Sequence, residues 1–186
     1  VMLADASHLV VPHDPPRLRR PAPAVEGIAA AVALLNGSKT PLILAGGGAV
    51  KSAERLQALA ETLDAPVVMT TNARGILPPD HPLGVSLTAS MPQTRALVAA
   101  ADVVLALGTE LGPTDYDFYE DGGFAIPGKL IRVHIDPAQI MRSHMPSLGL
   151  VGDVGEALVQ LFPLIAQRAP GSGSDRARVA NGGRAD

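Results

Sequence analysis

The chain has 186 residues, a net charge of −3, 47% hydrophobic residues, only 3% aromatic ones, and no tryptophan or cysteine. That balance gives no electrostatic case for nucleic acid, and the missing cysteines exclude disulfides and thiolate metal sites. A core restricted to Ala, Val, Leu and Ile suits helices packed on a parallel sheet whose strands are buried on both faces.

Residues 1–23 carry Pro12, Pro15, Pro16, Pro21 and Pro23, a density that forbids a helix or central strand and reads as an extended linker. The opening residues, Val1 to Asp5, lack the basic and apolar regions of a signal peptide. No apolar run is long enough for a transmembrane helix, so no membrane is expected. With no methionine at position 1, the expectation is a piece of a longer, cytoplasmic chain. Apolar residues recur at helical spacing from Ala24 to Asn36, and Gly37 follows as a stop. Pro41–Ala45 is a strand that breaks into Gly46-Gly47-Gly48 and re-emerges as a helix from about Val50 to Leu63. Pro66–Thr70 is a second buried strand.

Thr71–Thr88 has no clear period and reads as a long loop, functional or at an interface. Ser90–Ala101 is a helix with Pro92 in its first turn. Asp102–Leu107 and Leu130–Ile135 are the third and fourth strands, the latter followed by a short helix near Gln139–His144. Leu148–Val151 is a fifth strand. Asp153 and Glu156 form a capping-box pattern for a helix from Val154 to about Gln167. From residue 169 to 186 the Gly- and Ser-rich composition predicts a flexible tail. Strands alternating with helices make the class α/β, a doubly wound parallel sheet with helices on both faces.

In such a sheet, ligands bind beyond the carboxyl ends of the strands. Four loops would line that crevice: Gly46–Ala49, Thr71–Gly75, Gly108–Gly112 and Asp136–Gln139. The first reads G-x-G-x-x-K (Gly46, Gly48, Lys51). Its glycines and the helix start behind them suit an anionic group, or serve packing alone. The third glycine of a dinucleotide fingerprint is missing, and Thr70, Thr71 and Asn72 stand where a ribose-binding acid would follow the second strand. A nicotinamide-dependent dehydrogenase is therefore disfavoured. No nucleophile elbow is present. His8, His13, His81, His134 and His144 lack metal-ligand spacing, and His134, in a strand, reads as structural. Arg74 suits a phosphate or an interface salt bridge. Asp115, Asp117, Glu120 and Asp121, interleaved with Tyr116, Phe118 and Tyr119, form either a solvated loop or a surface for a cation or partner. Their spacing is not that of a calcium loop.

Several blocks together carry a resemblance: PLILAGGG from Pro41, PVVMTTNARGILPPDHPLG from Pro66, ADVVLALG from Ala101, LIRVHIDP from Leu130 and LVGD from Leu150. In this order they resemble the central domain of thiamine-diphosphate-dependent enzymes of the acetolactate synthase and pyruvate oxidase type. The resemblance covers about residues 24–168. It implies a Rossmann-like sheet of five to six strands, with residues 1–23 and 169–186 as linkers to pyrimidine- and pyrophosphate-binding domains. Thiamine diphosphate and Mg²⁺ would be held by those domains, in a homodimeric or homotetrameric parent acting on 2-oxo acids by decarboxylation or carboligation. No G-D-G…N metal motif occurs here, so no catalytic residue is assigned to this stretch.

Some members bind FAD or ADP in the central domain. The resemblance then points to Gly46, Gly47, Gly48, Thr70, Thr71, Asn72, Gly108, Thr109, Asp136, Gln139 and Asp153 as cofactor-binding residues. Acetolactate synthases carry an arginine where Glu110 stands, and an anion beside a pyrophosphate is unfavourable, which argues against FAD. The segment GTELGPTDYD from Gly108 is more similar to 2-ketoarginine decarboxylase-like members. The alternatives are a nucleotide- or FAD-binding module without catalysis and, less favoured, an NAD-dependent dehydrogenase domain.

Overall fold

The computed structural model describes residues 5, 7–10, 19–116 and 124–183. Six parallel strands are ordered β3-β2-β1-β4-β5-β6, where β1 is Pro41–Ala45, β2 Val67–Met69 and β3 Gly84–Val85. The others are β4 (Val103–Leu107), β5 (Lys129–His134) and β6 (Leu148–Val151). β1 and β4 are buried at every position because helices cover both faces of the sheet. On one face lie α1 (Val25–Gly37), α2 (Ala53–Leu63) and α6 (Val154–Leu161), packing Ile28, Leu56 and Leu158 against Ile43, Leu105 and Ile131. The other face packs Leu42, Leu44 and Val104 beneath α3 (Pro92–Ala99) and α7 (Ser172–Ala180). Two single turns, α4 (Pro113–Tyr116) and α5 (Pro137–Ile140), follow β4 and β5. The doubly wound α/β expectation holds. No helix among the described residues is long and apolar enough to cross a membrane.

The departures have local causes. The helix expected from Val50 begins instead as a 3₁₀ turn, Gly47–Ser52, and becomes α-helical only at Ala53. The helix expected to reach Gln167 stops at Leu161, since Pro163 cannot donate into it and a 3₁₀ turn, Phe162–Leu164, takes over. The short helix expected near Gln139–His144 is Pro137–Ile140, started by Asp136, whose side chain accepts from Ala138 N–H at 2.9 Å. The long Thr71–Thr88 loop contains the two-residue strand β3. Part of the proline-rich leader is fixed: Pro21 O accepts from Asp153 N–H at 2.8 Å, and Arg20 pairs with the Asp153 carboxylate at 3.0 Å.

The largest correction is the tail. Residues 172–180 form α7, with Ala177 and Ala180 buried against the sheet. Asp64, in the left-handed conformation at φ 48°, ends α2 and accepts from Gly173 N–H at 2.6 Å. Arg176 donates to Pro41 O at 3.0 Å. Asn181 accepts from Ser86 N–H and donates to Gly84 O, both at the sheet edge. One carboxylate, one guanidinium and one amide thus dock a stretch whose composition alone reads as disordered.

Asp102, just before β4, is the other polar anchor. Burial works to raise its pKa. Bonds from the Ser38 hydroxyl, the Lys39 and Thr40 N–H groups and the Thr40 hydroxyl outweigh that, holding it down at about 2.

Two outcomes follow from these anchors. Asp64→Ala removes a cap worth about 1 kcal/mol and leaves a side chain in a left-handed conformation costing about 1–2 kcal/mol. The melting temperature should fall by roughly 4–10 °C, while Asp64→Asn should lose less than half of that. For Asp102 the folded pKa is depressed, so its stabilisation is complete above the unfolded value near 4 and disappears as pH falls through about 2. Asp102→Asn should therefore melt below wild type at neutral pH, with the gap closing between about pH 4 and pH 2.

Candidate functional site

The strand order reverses between β1 and β4, and a crevice opens there beyond their carboxyl ends, as the doubly wound topology requires. The turns after the two strands touch backbone to backbone. Gly46 N–H donates to Leu107 O at 2.9 Å, and Gly48 N–H to Gly108 O at 3.1 Å. A Cβ on Gly48 would stand 2.9 Å from Gly108 Cα, and one on Gly108, at φ 59°, would stand 2.6 Å from Gly48 Cα. These two glycines are required by that contact. Ala49 N–H is also spent, on Gly46 O. Three of the N–H groups in the glycine turn are thus engaged internally, and packing accounts for the turn. Gly47 is the exception, with only Asn72 Cβ at 3.3 Å from a hypothetical Cβ.

The crevice has two lobes sharing Gly47, Gly48, Gly108 and His134. The larger, about 520 Å³, brings together Gly46–Gly48, Thr70–Asn72, Gly108–Glu110, Gly112 and Asp115. The smaller, about 340 Å³, adds Arg20, Lys51, Gly152 and Asp153. Nine of the eleven residues expected from sequence thus line one continuous space. Asp136 and Gln139 line neither lobe: Asp136 is committed to capping α5, and its N–H donates to His134 Nδ1 at 3.0 Å. Asp153 lines the smaller lobe but is already engaged, capping α6 through Gly155 N–H at 2.8 Å and pairing with Arg20.

The lobes differ in charge. Lys51 stands at the smaller one beside the mutually paired Arg20 and Asp153, and Glu110 and Asp115 stand at the larger. Burial pushes the Asp115 carboxyl up, Thr71 N–H pulls it back, and the Glu110 charge adds to the rise. Arg74 donates to Ser86 O and therefore serves the loop before α3. Tyr116, expected on an exposed acidic loop, is fully buried against Phe124 at 4.5 Å, its hydroxyl 3.2 Å from Thr109 Oγ1. Burial drives its phenol pKa well above the ordinary value. Asp117, Phe118, Tyr119, Glu120 and Asp121 lie outside the described residues.

The sequence reading missed Arg132, which is 1% exposed on β5 and donates to carbonyls on two loops. Its signal was an arginine at a sheet-facing position within an otherwise apolar run. Among the described residues no three of His, Asp and Glu gather as a metal site.

Residues 28–161 match the thiamine pyrophosphate enzyme family at its central domain. The chain is 37% identical over 165 residues to a probable 2-ketoarginine decarboxylase of Pseudomonas aeruginosa, covering 87% of this chain and 29% of that protein. It is 32% identical over 147 residues to the acetolactate synthase isozyme 1 large subunit of Escherichia coli, covering 78% of this chain and 26% of the relative. Benzoylformate decarboxylase from Polynucleobacter necessarius superposes with a TM-score of 0.71 at 25% identity, over 89% of this chain and 32% of that one. The chain belongs to the thiamine-diphosphate-dependent enzymes, as their central domain. It spans less than a third of the length of these relatives.

The backbone contact between the two turns makes a sharp contrast testable. Gly108→Ala combines left-handed strain of about 1–2 kcal/mol with collision against backbone, and should lower the melting temperature by more than about 4 °C. Gly47→Ala should stay within about 2 °C of wild type. Equal losses in both would remove the packing explanation.

Proposed function

We propose that this chain is the bracing, nucleotide-pocket domain of a thiamine-diphosphate enzyme that decarboxylates or carboligates 2-oxo acids. The crevice would take a nucleotide of ADP type and not a flavin. The observation that carries the pocket reading is the polarity of the crevice, with Lys51 at its smaller lobe beside an Arg20 already paired with Asp153, and hydroxyl and amide groups of Thr70, Thr71 and Asn72 along the larger. The Lys51 ammonium matches a diphosphate as a charge-assisted donor. Glu110 in the larger lobe opposes the second negatively charged half that FAD would bring past it. Relatives named as a 2-ketoarginine decarboxylase and an acetolactate synthase support chemistry on 2-oxo acids.

Thiamine diphosphate would supply the carbanion chemistry, held with Mg²⁺ by pyrimidine- and pyrophosphate-binding domains outside this chain, in a homodimer or homotetramer. The part of this chain is to bind and orient: backbone turns fixed at Gly48 and Gly108 shape the pocket, and Asp115 and Glu110 edge it. A nucleotide-sensing module without catalysis is not favoured by the family match, and a nicotinamide-dependent dehydrogenase still less.

Purified on its own, the chain should be colourless and show no turnover of pyruvate with thiamine diphosphate and Mg²⁺ above a buffer blank. Calorimetric titration with ADP should give saturable binding that Lys51→Met weakens by about five- to tenfold, the value of one charge-assisted contact at a partly solvated site. Flavin absorbance surviving gel filtration, or ADP affinity indifferent to Lys51, would overturn the pocket reading.

A further inference from the structure

Arg132 alternates with Leu130 on β5, facing the side of the sheet covered by α3 and α7. Its neighbours in register are Ala106 on β4 and Gly149 on β6. Small residues on both sides leave a groove across the sheet in which a long side chain can lie. A Cβ on Gly149 would come within 2.5 Å of Ile140 Cγ2, so that space is already shared with the turn after β5.

The guanidinium is buried, and among the described residues no carboxylate pairs with it. Its acceptors are carbonyls. Nη1 lies 3.1 Å from Ile140 O, 2.6 Å from Arg142 O and 3.4 Å from His144 O. Nη2 lies 3.3 Å from Thr109 O and 3.1 Å from Glu110 O. A lysine has the charge but not the planar fork needed to hold two loops at once.

The Thr109–Glu110 wall needs such a hold. Leu111 sits buried at φ 53°, a left-handed conformation that a branched aliphatic residue keeps only where its surroundings fix it. Its N–H donates to Thr109 Oγ1 at 3.3 Å. The contacts then close into a ring. Thr109 meets the Tyr116 hydroxyl, Tyr116 packs on Phe124, and His144 Nε2 donates to Phe124 O at 2.6 Å. Arg132 joins His144 O back to Thr109 O.

We propose that Arg132 is the positioning residue of the crevice. Its fork ties the Thr109–Glu110 wall to the Ile140–His144 turn and completes a ring that fixes where Glu110 and Asp115 face a ligand. Removing the fork frees the wall without dismantling the sheet, since the apolar packing on both faces does not pass through Arg132. The effect on ligand affinity rests on the nucleotide reading above; the effect on the ring does not.

The test uses the whole chain in a Tyr119→Phe background, which leaves Tyr116 as the single tyrosine. Arg132→Lys and Arg132→Met are compared with wild type and with Asp64→Ala, a destabilised control remote from the crevice. Near-ultraviolet circular dichroism reads Tyr116, amide hydrogen exchange reads residues 109–111 and 140–144, and ADP is the titrated probe. In both Arg132 variants the tyrosine signal should fall, and exchange over 109–111 should quicken by about tenfold or more. Helices α1 and α2 should stay protected, and ADP affinity should drop several-fold. Asp64→Ala should leave the tyrosine signal, exchange over 109–111 and ADP affinity unchanged while folded. Should Arg132→Met fail to fold, Arg132→Lys decides. Unchanged signal and exchange in Arg132→Lys, exchange raised equally throughout the chain, or unfolding of both variants would overturn the positioning role. A ring that loosens in a protein whose wild type binds no ADP would keep the role and remove the nucleotide reading.

Discussion

The contact on which the architecture depends is the approach of two glycine backbones, Gly48 and Gly108, at the point where the strand order turns back on itself. Adjacent parallel strands are close-set, and the loops leaving their carboxyl ends must diverge to opposite faces. Here they diverge only after touching. Any side chain at either glycine would meet main chain, which has no rotamer to yield. The contact divides the crevice into its two lobes, and that division gives the crevice its unequal charge. The usual reading of a glycine-rich turn, an open nest of N–H groups for phosphate, does not describe this one. The N–H groups of Gly46, Gly48 and Ala49 face carbonyls of the same protein.

The two faces of the sheet are chemically unlike. The face under α1, α2 and α6 is closed mainly by aliphatic packing. The other carries Tyr116, Phe124 and Arg132 next to a similar aliphatic floor. A buried guanidinium costs several kcal/mol of desolvation unless its donors are met. Here they are met by carbonyls of two turns, whose own backbone groups would otherwise need partners. Charge and loop thereby satisfy each other. Among the described residues the arrangement gives a polar network at the carboxyl end of the sheet without a counter-ion, while Glu110 and Asp115 line the crevice.

Legibility in the sequence followed the strength of the local signal. β1 and β4 were plain, because five consecutive apolar residues bounded by turn residues fit a strand buried on both faces. The loops that line the crevice followed from topology alone, since the carboxyl ends of parallel strands must share a side. β3 was not legible: two residues have no period, and they became a strand only through β2 and Asn181. Asp136 and Gln139 were assigned by position after β5, and local capping claimed Asp136 instead. Tyr116 was misread because four acids and two other aromatics surround it in sequence, while its burial depends on Phe124 beyond the loop. Arg132 could have been found by asking what neutral neighbour would tolerate it; the answer, Ala106 and Gly149, lies in the pairing register and not in the chain order.

Residues 19–23 and 172–183, within segments that read as linkers, are parts of the fold at its two ends. On entry, residues 19–24 cross the end of β6, with Pro23 packed so closely on Gly152 that a Cβ there would stand 2.6 Å from the proline ring. On exit, α7 lies beside β3 at the opposite edge, and Asn181 occupies the hydrogen-bonding groups that an exposed edge strand would offer to another chain. Both edge strands therefore have chain fixed against them. A flexible tether sets only how far its ends can separate. A docked one also sets direction, because its last fixed residue has a defined place on the sheet. Arg20 and Pro23 fix the first docked end, and Asp64, Arg176 and Asn181 the second.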